Sequence, residues 1–181
     1  MHLPLTPHPE FRPEADFRID VEVSRSRAGV LALHYIATGN IGAFRLPPIA
    51  AALRTDELWQ GTCFEAFVRA SADVAYYEFN FAPSTQWAAY RFDGYRSGMA
   101  PASKIDVPRI DLQSNNAGHE LHVELELDRL QGLPLNAPWH LGLSAVIEET
   151  SGRKSYWALA HPAGKPDFHH LDCFALEVPT A

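Results

Sequence analysis

The chain has 181 residues, 46% hydrophobic and 20% charged, the balance of an ordinary folded domain and not of a disordered segment or a coiled coil. Twenty-two acidic against fifteen basic residues leave a formal net charge of -7, which argues against a surface that binds nucleic acid by neutralising phosphates. Fourteen prolines and eleven glycines are scattered along the chain, so many short elements are expected and long helices are not.

Residues 1–15, rich in proline and polar groups, read as an extended lead-in to one domain over 16–181. The N-terminus has no basic start followed by an apolar run, and no stretch is long enough to span a membrane; a cytoplasmic location and no membrane partner are expected. Phe17, Ile19, Val21 and Val23 alternate with polar residues at the two-residue period of a half-buried strand. A second strand is predicted over Val30 to Thr38, and a short helical turn over Ile49 to Leu53, after Pro47-Pro48. Further strands follow around Phe64–Arg69, Tyr77–Phe81, Trp87–Phe92, Lys104–Leu112, His119–Leu127, Trp139–Glu149, Lys154–Ala160 and Asp172–Val178, with a hairpin loop at 149–153. Strand follows strand with no amphipathic helix between, which predicts an all-β antiparallel sandwich, of jelly-roll or immunoglobulin-like form, with few short helical turns. Cys63 and Cys173 are too few for a disulfide framework and are expected as free, buried thiols.

Alternation also sorts the polar residues. If Phe64, Tyr77 and Tyr90 face the core, then Glu65, Glu78, Asn80, Trp87 and Arg91 share the opposite face. Carboxylate, amide and guanidinium groups beside an indole suit a polyhydroxylated ligand, since the charged groups bond hydroxyls and a flat ring covers the C–H face of a sugar. A solvated sheet face with ordinary cross-strand charge pairs is the plainer reading of the same residues.

The segment from His161 to Asp172 holds three histidines and two aspartates, which invites a metal. His169 and His170 are adjacent and point apart on an extended chain, and the helical i, i+4 histidine pair of zinc hydrolases is missing, so no metal ligands are assigned. Backbone hydrogen bonds in a proline-bearing loop account for His161 and one of the paired histidines. There is no G-x-S-x-G elbow, phosphate loop or dinucleotide fingerprint, and Glu65 and Glu78 are not expected to be a catalytic pair.

The run Leu58-Trp59-Gln60-Gly61-Thr62-Cys63-Phe64-Glu65, then Tyr76-Tyr77-Glu78-Phe79-Asn80 and later Tyr156-Trp157, resembles the DOMON-like superfamily close to the type 9 carbohydrate-binding modules. The closing segment, His161-Pro162 through Phe168-His169-His170 to Phe174, is similar to that of a small stand-alone bacterial subgroup, and the resemblance spans most of 16–178. It implies a β-sandwich that binds a small molecule, with Trp59 and Trp157 as aromatic walls and Glu65 bonding hydroxyls. His161 is grouped with these ligand-binding candidates. Haem-binding relatives use methionine and histidine ligands; with only Met1 and Met99 available, haem is not expected. No cofactor is required; calcium stays open, though no loop dense in Asp and Asn assigns its ligands.

The leading reading is therefore a non-catalytic module for a carbohydrate or sugar-containing metabolite. Its alternatives are a hydrolase or metal-dependent enzyme using the His161–Asp172 segment, and an interaction domain that docks a partner through an exposed Trp87 or Trp139. The sequence leaves the ligand's identity and the oligomeric state open.

Overall fold

Twelve strands form in the computed structural model, which describes residues 1–70, 73–115 and 118–181. They are β1 (His2–Pro7), β2 (Phe17–Ser24), β3 (Val30–Gly39), β4 (Cys63–Ala70), β5 (Tyr76–Phe81), β6 (Trp87–Phe92), β7 (Ala100–Pro101), β8 (Arg109–Ser114), β9 (Gly118–Glu126), β10 (Trp139–Glu148), β11 (Lys154–Ala158) and β12 (Leu176–Val178). The described helical elements are three short 3-10 turns, at Ile41–Ala43, Leu58–Gln60 and Leu171–Cys173. The paired strands are antiparallel and lie in the order β7-β6-β5-β4-β10-β11-β1-β2-β3-β9-β8, with β12 beside the start of β10. This path curls into a sandwich whose first sheet runs from β8 to β1 and whose second runs from β1 to β7. The expected antiparallel all-β fold is the one found.

Strand β1 belongs to both sheets: His2 to Leu5 pair with β2, whereas Thr6 and Pro7 pair with β11. The predicted lead-in over 1–15 is thus partly an integral strand that turns the corner of the sandwich. Its prolines hid it, because proline cannot donate to a ladder and is tolerated mainly at sheet edges and corners.

Between the sheets lies one continuous apolar core. Ile19, Val21, Leu31, Leu33, Tyr35, Leu121, Val123 and Leu125 meet Phe64, Ala66, Phe79, Phe81, Leu141, Leu143 and Trp157 there. The Tyr35 ring lies 5.0 Å from that of Phe64, and its hydroxyl donates to the Glu65 carbonyl at 2.8 Å, so a polar group is buried with its partner supplied.

Register corrects two side-chain phases. Phe81 pairs with Trp87, Phe79 with Ala89 and Tyr77 with Arg91, and cross-strand partners share a face. Trp87 is therefore buried in the inter-sheet core and Tyr90 turns outward, the reverse of the expectation for β6. On β11, Ala145 faces Trp157 and Val146 faces Tyr156, which sends Trp157 inward, 5.0 Å from the Phe17 ring, and Tyr156 outward. Trp139 is fully buried beneath the Arg25 guanidinium, 3.5 Å from its ring. Neither Trp87 nor Trp139 is thus available to dock a partner.

Three element boundaries also differ. Residues 49–53 form no helical turn; the chain there runs along β6, with Trp87 N–H donating to Leu53 O and Thr55 N–H to Trp87 O. Pro47-Pro48 biases the residues before each proline away from the helical region, which favours that path over a helix. β8 starts at Arg109, not at Lys104, and Asp172 lies in a 3-10 turn that precedes β12.

Candidate functional site

The outer face of the second sheet is not an open surface. Phe67, Tyr76, Ala88, Tyr90, Phe92, Val146 and Ala158 line it, and the chain from Pro166 to Phe174 folds across, adding Phe168 and Phe174 to a second apolar cluster. Gly142 on β10 admits this cover: a Cβ there would stand 3.0 Å from the Cys173 carbonyl oxygen. The Cys173 Sγ lies 3.3 Å from Ala160 O and 3.2 Å from Asp167 O, so the single S–H of this free, buried cysteine has an acceptor both within the cover and in the chain just after β11.

Beneath the cover lies a cleft of about 490 Å3. Its floor is Glu65 on β4 and Glu78 on β5, with Phe67 and Val146; its walls are Trp59, Tyr156, Phe92 and Phe168; Arg96, Lys154 and His169 stand at its edge. Glu65 lies opposite Asn80 and Glu78 opposite Phe67, so the carboxyls are diagonal neighbours. Both are almost fully buried, 3% and 6% exposed. Asn80, also buried, donates its amide to Glu78 Oε1 at 2.7 Å, while Ser144 O–H donates to Glu65 Oε2 at 3.2 Å.

Burial sets the charge states. Loss of water, reinforced by the neighbouring Glu78 charge, pushes the Glu65 carboxyl up to about 8, so it holds its proton at neutral pH. Burial also raises Glu78, but the Asn80 amide and the Arg96 charge oppose the rise. One proton on Glu65 and a negative charge on Glu78 is the arrangement these causes favour.

His169, which the sequence did not single out as a site residue, completes the cleft. Desolvation, helped by Arg96, drives its ring down to about 4, so the imidazole is neutral. Burial lifts the Tyr76 phenol to about 12, and its hydroxyl accepts from Arg96 N–H at 3.3 Å and donates to His169 Nδ1 at 2.7 Å. The ring hydrogen is thereby assigned to Nε2, which faces Glu78 Oε2 at 3.7 Å. Asp167 anchors the ensemble: it accepts from Arg96 Nη2 at 2.8 Å, from the His169 amide at 3.2 Å and from Tyr95 O–H.

The structure brings together Trp59, Glu65, Glu78 and Asn80 of the sequence-predicted site. Trp59, 37% exposed, stands at the cleft with its edge towards Tyr90. Trp157 and Trp87 lie in the core, so neither is an aromatic wall; Tyr156, one residue away on the other face of β11, lines the cleft instead. Arg91 sits beside Asp93 and opposite Tyr77, outside the cleft, and the cation at the edge is Arg96. His161 is also elsewhere: its Nε2 bonds Thr6 O at 2.8 Å and its ring packs on His8. His170 accepts from Asp172 N–H at 3.3 Å, the local backbone bond expected of one histidine of the pair. Period-two alternation on β11 could have found Tyr156; nothing local marks Arg96 or His169, which arrive from loops.

No protein-family profile and no curated protein sequence matches the chain. Among solved structures, a candidate carbohydrate-binding protein from Bacteroides uniformis aligns over 94% of this chain and 82% of its own, with a TM-score of 0.65 at 14% identity. A family 9 carbohydrate-binding module from Caldicellulosiruptor kristjanssonii, in complex with cellotriose, aligns over 88% of this chain and 74% of its own, with a TM-score of 0.50 at 12% identity. The shared property is the fold. The β-sandwich implied by the motifs around Trp59 and Glu78 is the architecture these proteins have.

Proposed function

We propose that the cleft binds a carbohydrate or a sugar-containing metabolite without transforming it. The observation that carries this reading is the pairing, in one cleft, of a partly exposed indole at the wall with two buried carboxyls at the floor. Trp59 and Tyr156 offer flat apolar surface to sugar C–H groups, and each Å2 of such surface removed from water contributes about 25 cal/mol. Glu78 accepts hydroxyl protons, whereas protonated Glu65 can both donate and accept, so the floor distinguishes hydroxyl orientation. Arg96 and Lys154 at the edge add donors and would welcome an anionic substituent. The fold shared with a module that holds cellotriose supports the same ligand class.

One observation favours catalysis as a second reading: two buried carboxyls lie on neighbouring strands of one cleft, and burial raises Glu65 as it would a general acid beside its partner. Hydrolysis of aryl glycosides by the purified protein, abolished in Glu65→Gln, would decide for it.

Calorimetry with glucose, galactose, glucuronate and cello-oligosaccharides tests the binding reading. At least one sugar is expected to bind, and Trp59→Ala should weaken it tenfold or more, a loss of about 1.4 kcal/mol, with the melting temperature unchanged. Binding of none of them, or equal binding by Trp59→Ala, would overturn the assignment.

A further inference from the structure

The outer face of the other sheet carries a row of residues that the cleft does not use. Register aligns His2 on β1, Glu22 on β2, His34 on β3, His122 on β9 and Asp111 on β8 directly across five strands, each opposite the next. Glu120, two residues before His122 on β9, projects from the same face. Each of His34, Glu120 and His122 is half-buried, and one donor atom from each lies within 4.8 Å of the others.

We propose that His34, Glu120 and His122 form a binding site for a borderline divalent transition-metal ion of the Zn2+ type. Glu120 Oε2 stands 3.0 Å from His34 Nε2 and 3.7 Å from His122 Nε2. Bonds of about 2.1 Å to a tetrahedral ion set its ligand atoms about 3.4 Å apart. The two observed separations straddle that value, so small side-chain rotations seat an ion between them. The two imidazoles stack with centroids 3.8 Å apart and planes 17° from parallel, so the same rotations must splay the rings to turn both Nε2 lone pairs towards one ion.

What surrounds the three donors is also arranged as a ligating histidine requires. Glu22 Oε2 lies 3.2 Å from His34 Nδ1, and His2 Nδ1 lies 3.3 Å from the other Glu22 oxygen. Both ring nitrogens of His34 thus face carboxylates; when an ion binds it takes the place of the proton between Nε2 and Glu120, while Glu22 keeps accepting from Nδ1–H, which orients the ring and makes it a better ligand. Two imidazoles and one carboxylate select Zn2+, Ni2+ or Cu2+ over Ca2+ and Mg2+, which prefer oxygen-only shells. The ion would join β3 to β9 and keep a position open to water or to a further ligand.

The test is calorimetric titration of the untagged, chelator-treated full chain with ZnCl2. One Zn2+ per chain is expected, with no detectable binding of Ca2+ or Mg2+ at the same concentrations. His34→Gln and His122→Ala should each weaken Zn2+ binding at least tenfold, while His169→Asn, in the cleft of the other sheet, leaves it unchanged. Melting temperatures of the metal-free variants verify that they are folded; should His122→Ala fail, His34→Gln carries the test. No Zn2+ binding by the wild-type chain would overturn the proposal, as would an affinity that neither substitution at the row changes.

Discussion

The two outer faces of the sandwich start from the same alternation of apolar and polar residues and end with opposite electrostatics. On the first sheet, His34, Glu22 and His122 look into solvent, and the Glu22 carboxyl is held low by the imidazoles beside it. On the second, Glu65 and Glu78 share a cleft with Phe168 and His169 of the covering segment, and loss of water pushes both carboxyls up. The difference is the cover, not the strands. A glutamate on a strand is a surface charge or a buried acid according to what crosses over it, and here the crossing segment comes from a remote part of the chain.

Truncation should separate core, cleft and open face most sharply. Trp157→Ala removes an indole from the inter-sheet core and is expected to cost about 3–5 kcal/mol of unfolding free energy in a denaturant titration. A cost under about 1 kcal/mol together with lost sugar binding would return Trp157 to the cleft wall.

The pH dependence is the next largest effect. Glu65, raised to about 8, keeps a proton in the folded state that the unfolded chain has lost, so its contribution falls as pH rises from the ordinary carboxyl range to about 8. His169, lowered to about 4, binds its proton less readily when folded, so its contribution is lost as pH falls from the ordinary imidazole range towards 4. The two slopes oppose one another in mildly acidic solution, and only the Glu65 slope persists between about 6.5 and about 8. Glu65→Gln should therefore remove the decline on the neutral-to-alkaline side, and His169→Asn should remove the opposing slope on the acid side. Denaturant midpoints measured across this range check both. A wild-type and Glu65→Gln pair with parallel profiles would mean that the floor is wet.

The smallest effect belongs to the open face. Without metal, His122→Ala should change stability by no more than about 0.5 kcal/mol, because its ring remains partly solvated on an exposed ladder. A larger loss in the same denaturant titration would show that the row contributes to folding by itself.

Much of this was legible in sequence and some was not, for reasons that particular residues make plain. The period-two runs at Phe17–Val23 and Phe64–Arg69 fixed strands β2 and β4 and their faces, because each has one consistently apolar phase. The run Trp87-Ala88-Ala89-Tyr90-Arg91-Phe92 is apolar in both phases, since both of its faces are buried, and only pairing with β5 decides which way Trp87 turns. Tyr156-Trp157 is ambiguous for the same reason. The Trp59 and Glu65 spacing pointed to the cleft, but His169 and Arg96 reach it through loops whose paths no local pattern encodes.

The central claim is that the covered face, and not the open one, is where a sugar binds. Two-dimensional NMR of the labelled chain during titration with cellotriose, or with whichever sugar calorimetry selects, maps the contact directly. The account predicts that the largest shifts fall on the Trp59 indole N–H, Tyr156, Lys154 and the amides of Phe168 and His169, with His34 and His122 unmoved. Shifts centred on the His34 and His122 face, or on neither face at saturating sugar, would contradict it.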